Sequence, residues 1–178
     1  GKKLLFMGSE FGQYIEWKFD DSLDWFLLDY PKHAEMQLYV HDLNHFYLEN
    51  PPLYEIDDSW AGFRWCGVDD NIHSILSFMR LDRDGNALFW TFTFTPLPWT
   101  AYMIGVPRYG LYTEVFSTDA PNYGGTGDYP NAPTMSVYEP YGEHPCRIRL
   151  RLPPFGAVCY RISPRPLPKI EAKQQEDA

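Results

Sequence analysis

Hydrophobic periodicity divides the chain into a short N-terminal part and a longer C-terminal part. Residues 3–8 form an apolar run that ends in glycine, which is typical of a strand buried on both faces. The polar, acidic and aromatic residues 9–30 have no period, and this predicts a long loop. Helical spacing follows over residues 32–49, and Pro51 with Pro52 ends it. These residues therefore predict one strand, one loop and one helix.

The predicted helix has an apolar face, which we expect to pack against the C-terminal part of the chain. Its members are spaced at i, i+4, i+7 and i+11: Met36, Val40, Leu43 and Tyr47. His41 and His45 lie four residues apart, a spacing that can bind a metal ion. No carboxylate or thiol pattern joins them, so we interpret this side as a solvated helix face and predict no metal site.

From about residue 62 the spacing changes to a period of two, with turn residues between short runs. Asp84-Gly85 is a strong hairpin signal. In the run that follows it, Leu88, Trp90, Phe92 and Phe94 alternate with Thr91, Thr93 and Thr95. Residues 147–152 alternate arginine with isoleucine or leucine, which predicts one solvated face and one core face. Seven or eight short antiparallel strands predict a β-sandwich.

The patterns predict three segments along the chain. Residues 1–50 hold the strand, loop and helix, and residues 51–163 hold the all-β domain. Residues 164–178 are rich in proline and then in charge, which predicts a disordered tail.

Composition excludes some classes of partner. The formal net charge is −9 without a basic cluster, so we expect no nucleic acid partner. No apolar run approaches the ~20 residues of a membrane span, so we expect no membrane partner either. The chain has 3 scattered cysteines, which indicates free thiols in a reducing compartment and hence the cytoplasm. Aromatic residues make up 17% of the chain; most are expected in the core, and a few could stack on sugar rings.

An ordered set of motifs carries a resemblance to a known family. Residues 1–13, GKKLLFMGSEFGQ, are very similar to a signature of bacterial 1,4-α-glucan (glycogen) branching enzymes, in the α-amylase superfamily. Further matches follow in the family's order: Glu16-Trp17, Leu23-Asp24-Trp25, Gln37 to Asn44, Gly62-Phe63 with Trp65, Asp69-Asp70, Phe94-Thr95-Pro96, Thr118-Asp119, Tyr123-Gly124-Gly125 and Leu152-Pro153-Pro154.

The resemblance implies an architecture and an activity. The family has a (β/α)₈ barrel followed by an all-β C-terminal domain, so residues 1–50 would be the last βα unit of the barrel. Its enzymes cut an α-1,4 glucan and transfer the freed chain to a 6-hydroxyl, which forms the α-1,6 branches of glycogen. The chemistry is similar to that of retaining glycosidases, with one carboxylate as nucleophile and a second as acid and then base.

The family's catalytic carboxylates lie at the ends of barrel strands four, five and seven. None has a counterpart in residues 1–178, so we predict no catalytic residue and no cofactor, and we expect the isolated chain to be inactive. Its expected roles are barrel completion, stability and contact with α-glucan. Its expected partners are α-glucan and the upstream barrel of the same protein.

The loop after the first predicted strand would lie on the catalytic face of a barrel. Glu10, Phe11 and Trp17 are therefore the predicted substrate-binding residues. The competing interpretation is structural: Glu10 would make a supporting hydrogen bond and Trp17 would pack the loop down.

Two other functions stay open at this stage. One is a glucan-binding β-sandwich without catalysis, with Trp60, Trp99, Tyr109 and Tyr112 as candidate aromatics. The other is part of a related amylolytic or debranching hydrolase, because these residues do not determine which bond is made or cut.

Overall fold

The computed structural model describes residues 3–168, and within them eight antiparallel strands form two sheets. The strands are β1 Phe63–Asp70, β2 Ile75–Leu81, β3 Ala87–Thr93, β4 Trp99–Val106, β5 Gly110–Ser117, β6 Thr134–Met135, β7 Cys146–Leu152 and β8 Ala157–Pro164. One sheet has the order β1-β2-β3-β8-β5-β6, and the other pairs β4 with β7. The prediction of a mainly β fold with an antiparallel β-sandwich is confirmed.

One α-helix, α1, spans Pro31–Glu49, one residue longer at its start than the sequence predicts. Five short 3₁₀ helices lie in the connections: Ser9–Phe11, Trp25–Asp29, Pro51–Leu53, Trp60–Gly62 and Pro121–Tyr123. No helix within residues 3–168 is long and apolar enough to cross a membrane.

The main core lies between the two sheets. The arginines of β7 point away from it, while Ile148, Leu150 and Leu152 are buried, as the alternation predicts. From the larger sheet, alternate residues of β2, β3 and β8 meet them, including Met79, Phe89 and Tyr160. This face closes the sandwich through contact between apolar side chains, the largest favourable contribution to folding.

The opposite face of the larger sheet packs against α1. Leu88, Trp90, Phe116 and Cys159 form a second buried cluster, and Tyr39, Leu43 and Phe46 of α1 pack on it. These helix residues are spaced at i, i+4 and i+7, which places them on one face.

The predicted apolar face of α1 was therefore only partly correct. Leu43 packs on the sheet as expected, but Met36 is exposed. Val40 is buried instead against the N-terminal segment, in a hollow that the two parts share. Tyr47 packs edge-on against Tyr54, with 5.6 Å between ring centroids. The rings of Tyr39 and Phe46 reach the sheet instead. The helix is therefore rotated about its axis relative to the predicted orientation, in which Met36, Val40, Leu43 and Tyr47 would face the sheet.

Two polar contacts fix α1 to the sheet. Asn50, at the C-terminal end of the helix, donates from Nδ2 to the carbonyl oxygen of Phe46 at 2.7 Å. Its Oδ1 accepts a hydrogen bond from Arg161 of β8 at 3.0 Å. Near the middle of the helix, the Tyr123 hydroxyl donates to Asp42 Oδ2 at 2.8 Å. The helix is thus held at its middle and at its end.

Residues 3–8 form no strand in this structure, and the strand predicted there as part of a barrel stays a prediction. Leu4 is 85% exposed, and Leu5 and Phe6 are also exposed. A strand buried on both faces needs a neighbour for its backbone N–H and C=O groups, and unpaired buried groups cost about 1–3 kcal/mol each. No described strand pairs with this segment. Its backbone therefore stays at the surface, where water satisfies it.

The segment boundaries stay predictions. After α1 ends at Glu49, the first strand begins only at Phe63. Within residues 62–160 the structure contains no α-helix, in agreement with a change of architecture between those points. Residues 165–168 have no regular secondary structure, and residues 169–178 of the predicted tail lie outside the described part of the chain.

A hydrogen-bonded group joins the two sheets at one edge. Asp70 ends β1, and it accepts hydrogen bonds from His73 Nδ1 at 2.7 Å and from the His73 backbone N–H at 3.1 Å. The Tyr102 hydroxyl of β4 also donates to Asp70. Partial burial raises the pKa of Asp70, but the hydrogen bonds from Tyr102 and His73 outweigh it and hold that pKa below its usual value.

The packing of α1 predicts a measurable loss on truncation. Phe46→Ala should lower the free energy of unfolding by about 1.5–3 kcal/mol, because the ring lies against Trp90 and Phe116. Leu48→Ala is the matched control, since Leu48 is exposed on the same helix, and a change within about 0.5 kcal/mol is expected. Urea denaturation followed by circular dichroism measures both. Equal effects of the two variants would contradict this docking of α1.

The Asp70 group predicts a pH dependence. Because its folded pKa lies below the unfolded value, its contribution to stability is present above the unfolded pKa of about 3.9 and is lost as pH falls through the folded pKa. Asp70→Asn should therefore destabilise the protein by about 1–2 kcal/mol at pH 7. The difference from wild type should narrow as pH falls below the unfolded pKa.

Urea denaturation across that pH range checks the expectation. Asp84→Asn is the control, because Asp84 lies exposed in the turn between β2 and β3 and its substitution should change little. A stability difference for Asp70→Asn that is constant with pH would contradict the assignment.

Candidate functional site

The loop at residues 9–30 is folded down onto the start of α1. Phe11 is 0% exposed, and its ring lies 5.2 Å from the ring of Trp25. His33 of α1 contacts the Phe11 carbonyl oxygen through Nδ1 at 2.7 Å. Gln13 Oε1 accepts the backbone N–H of Asp24 at 2.9 Å, which closes the loop across its middle.

Glycine is required where this loop begins. Gly8 has a φ of 83°, in the left-handed region that side chains disfavour. A Cβ there would lie 2.9 Å from Gln13 Cβ and 3.1 Å from the Phe11 ring. The turn therefore brings Phe11 under the loop and leaves its neighbour Glu10 at the surface.

Glu10 lines an open hollow of about 390 Å³ between the N-terminal segment and α1. Leu5, Phe6, Leu23, Val40 and His41 share its lining. The walls are mainly apolar, and the carboxylate of Glu10 and the imidazole of His41 lie among them. Such a mixture of apolar wall and few polar groups is typical of a ligand site.

Trp17 lies on the surface near this hollow. Its side chain is 70% exposed, and its ring centroid lies 5.1 Å from that of Phe6. Its φ of 60° is in the left-handed region, which is uncommon for a residue with a large side chain and clusters at functional positions. The backbone thus holds the indole outward.

The structure brings two of the three predicted substrate-binding residues to one surface. Phe6 lines the hollow together with Glu10 and its ring contacts that of Trp17 in a tilted arrangement, so it lies between them. Phe11 is buried beneath the loop and supports it from inside. The role of all three residues in binding substrate stays a prediction.

The other carboxylates of the loop lie in solvent. Asp21 forms an exposed ion pair with Lys18 at 2.7 Å, and the hydrogen bond from Lys18 lowers the pKa of that carboxyl. Asp20 is also exposed. This arrangement differs from the catalytic pair of a retaining glycosidase, in which both carboxyl groups flank the bond that breaks.

A second open site is a groove of about 370 Å³ beside the edge strand β1, here called the Trp60 groove. It is lined by Ile56, Asp57, Asp58, Ser59, Trp60, Phe63, Trp65 and Arg80. Trp60 is 79% exposed, and Phe63 packs edge-on against Trp65 with 4.7 Å between centroids. Asp57 pairs with Arg80 at 3.0 Å at the polar end of the groove.

Trp60 was a predicted candidate for glucan binding, whereas its neighbours Phe63 and Trp65 were not. Alternation along β1 places Phe63 and Trp65 on one face, which is the available signal. That this face is left uncovered depends on where α1 ends on the sheet, and periodicity does not contain that information. Of the other candidate aromatics, Tyr112 was wrong, because it is fully buried and packs edge-on against Phe89.

Two histidines of α1, His41 and His45, lie side by side on the surface. The ring centroids of His41 and His45 are 4.4 Å apart, and His41 Nδ1 lies 2.9 Å from Asp42 Oδ1. Within residues 3–168 no group of three or more histidine, cysteine or acidic side chains has a metal-binding arrangement.

Comparison with known proteins identifies relatives over most of the chain. It is 40% identical over 162 residues to a 1,4-alpha-glucan branching enzyme GlgB of Halothermothrix orenii, covering 90% of this chain and 26% of the relative. It is 42% identical over 164 residues to the GlgB of Nitrosococcus oceani, covering 91% of this chain and 22% of the relative. The resemblance seen in the motifs is thus confirmed, and the chain spans about a quarter of the length of these relatives.

A solved α-amylase of H. orenii aligns with 72% of this chain and 20% of its own, at a TM-score of 0.43 and 15% identity. The family model described as "Alpha amylase, C-terminal all-beta domain" matches residues 65–163, which run from β1 through β8. With more than half of its length in this match, the chain belongs to the family of α-amylase C-terminal all-β domains.

Proposed function

We propose that this chain is the C-terminal portion of a 1,4-α-glucan branching enzyme that acts in glycogen biosynthesis. The proposal rests on the similarity to relatives of that name over about nine-tenths of the chain. A separate β-sandwich domain does not need the segment at residues 3–30, whereas a barrel would need it as its last strand and loop. This favours the enzyme-derived role over a separate binding module.

In this proposal the whole enzyme transfers a cleaved α-1,4 glucan chain to a 6-hydroxyl, as a glycosyltransferase with a double-displacement mechanism. Its catalytic carboxylates are supplied by parts of the protein other than residues 1–178.

The exposed segment at residues 3–8 is the proposed contact with the upstream barrel. Its apolar side chains would gain most from a sheet that covers both of its faces, because each buried large apolar side chain contributes about 1.5–3 kcal/mol. Pairing with neighbouring barrel strands would also satisfy its backbone. The loop at residues 9–30 would then lie at the carboxyl end of that strand, the face on which barrel enzymes bind substrate.

Glucan contact through Glu10 and Trp17 is the second part of the proposal, with Phe11 holding the loop from beneath. An outward-facing indole offers a flat apolar surface to a sugar ring, and a nearby carboxylate accepts hydrogen bonds from sugar hydroxyls. A cytoplasmic location is proposed as well, since Cys66, Cys146 and Cys159 are all free thiols.

The Trp60 groove favours a further glucan contact on the β-domain. Trp60 is the most exposed of its aromatic residues, and the carboxylate of Asp57 and the guanidinium of Arg80 lie at one end. The groove lies on β1 and β2, which pair as antiparallel neighbours. This site would bind glucan without catalysing its transfer.

The proposal predicts that the isolated 178-residue chain neither branches nor hydrolyses amylose. Iodine staining measures branching, and a reducing-end assay measures hydrolysis. Turnover by the pure chain that is abolished in Glu10→Gln would place catalysis within these residues and contradict the proposal.

The two proposed glucan contacts are separable by substitution. Trp17→Ala and Trp60→Ala should each weaken the retardation of the chain in an amylose-containing native gel. Loss of one ring contact of about 1.4 kcal/mol corresponds to about tenfold in affinity. Phe155→Ala is the matched control, because Phe155 is an exposed aromatic in a turn outside both sites. Unchanged retardation in both tryptophan variants would contradict the proposal that this chain contacts glucan.

A further inference from the structure

A cleft lies between the two sheets, at the edge where β1 faces β4. Its volume is about 530 Å³, compared with about 390 and 370 Å³ for the two open sites described above. Residues 65–70 of β1 form one wall, and residues 102–105 of β4 form the other. Ser77 lies in its depth and the loop at residues 141–144 closes one end. This volume is within the range of small-molecule sites.

Hydrogen bonds across the cleft hold its walls in place. Asp70 joins β1 to Tyr102 of β4 and fixes the ring of His73. His144 of the closing loop contacts the carbonyl oxygen of Cys66 through Nε2. Because a carbonyl only accepts, Nε2 of His144 carries the hydrogen, which leaves Nδ1 as an acceptor in the neutral ring. The cleft is therefore preformed and carries polar atoms at fixed positions.

Ser77 is the observation that points to a ligand. The residue is 0% exposed, yet its hydroxyl has no hydrogen-bond partner within the described residues. A buried hydroxyl without a partner is destabilising, so it is a position where a hydrogen bond from a bound molecule adds to affinity.

The backbone opposite Ser77 carries no side chain in front of this hydroxyl. Gly67 is its partner in the β1–β2 register, and the ladder is irregular on both sides of that glycine. A Cβ at Gly67 would lie 3.0 Å from Ser77 Oγ. Bulged strands are frequent beside binding and active sites, where they redirect the chain.

The lining determines the chemical class of the ligand. Asp69, Asp70 and Glu143 contribute carboxylates, and no lysine or arginine lines this cleft within the described chain. An anion is therefore disfavoured. Hydroxyl groups both donate and accept, so they suit a lining of carboxylates, imidazoles and a serine hydroxyl. Ile75, Met103 and Ile104 add an apolar wall for the C–H groups of a sugar or similar ring.

We propose that the inter-sheet cleft binds a neutral polyhydroxy compound of the size of a monosaccharide or disaccharide, with Ser77 hydrogen-bonded to one of its hydroxyls. The site is separate from Trp17 and from Trp60, and it stands whether or not those residues contact glucan.

Nuclear magnetic resonance of the 178-residue chain tests the proposal, with maltose as the probe and the imidazole signals of His73 and His144 as the readout. Maltose should shift both signals with saturation, and inorganic phosphate should not. Ser77→Ala should weaken maltose binding by about 2- to 10-fold, the value of one hydrogen bond. It should leave stability unchanged or raise it, because the unpaired hydroxyl is removed.

Gly67→Ala is the second variant and should weaken binding by filling the space in front of Ser77, even if Ser77→Ala folds poorly. Ser163→Ala and Trp60→Ala are the controls, because neither residue lines the cleft, and both should bind maltose there as wild type does. A parallel titration with maltoheptaose identifies the source of the ligand. Binding as tight as that of maltose indicates a glucan chain end, and loss of binding indicates a free short sugar.

Either result with maltoheptaose supports the polyol site, provided that maltose binds. Histidine signals that maltose does not move would overturn the proposal. So would wild-type affinity in both Ser77→Ala and Gly67→Ala, or a preference for phosphate over maltose. Loss of amylose retardation in Trp60→Ala with unchanged maltose shifts would separate this cleft from the Trp60 groove.

Discussion

Strands β3 and β8 pair at the centre of the larger sheet and bury side chains on both of its faces. A sheet that is apolar on both faces is unstable in water until each face is covered, because exposed apolar area costs about 25 cal/mol per Å². The pair β4–β7 covers one face, and α1 covers the other only in part. The covered areas form the two cores, and the uncovered remainder beside β1 is the Trp60 groove.

The strands were predictable because alternation is a local property that the pleat converts directly into two faces. The arginines of β7 and the threonines of β3 lie where that alternation places them. The face of α1 that contacts the sheet was harder to predict, because Tyr39 and Phe46 reach the sheet with their long aromatic side chains. The run at residues 3–8 is a different case, since strand formation there requires a pairing partner and apolar residues alone do not provide one.

The candidate site shows the same division between local and non-local information. Motifs placed Glu10, Phe11 and Trp17 in one loop, and that placement is correct. Which of them points outward depends on the left-handed turn at Gly8 and on the φ of Trp17, neither of which spacing reveals. The cleft at Ser77 was not predicted, because its walls come from β1, β2, β4 and the closing loop. Alternation predicts single strands, but it does not show which strands face each other.

The hydrogen bonds of Asn50 place the start of the β-domain earlier in the chain than the family match does. The family match begins at residue 65, whereas the hydrogen bonds of Asn50 and the ring of Phe46 make α1 part of the same cooperative folding unit as β8. A gene fragment cut at the limits of the family match would encode all eight strands, apart from two residues of β1 and one of β8, and would still leave Trp90 and Phe116 without the helix side chains that cover them. A unit that recombination could move intact would therefore begin at α1, before the first residue that the family model matches.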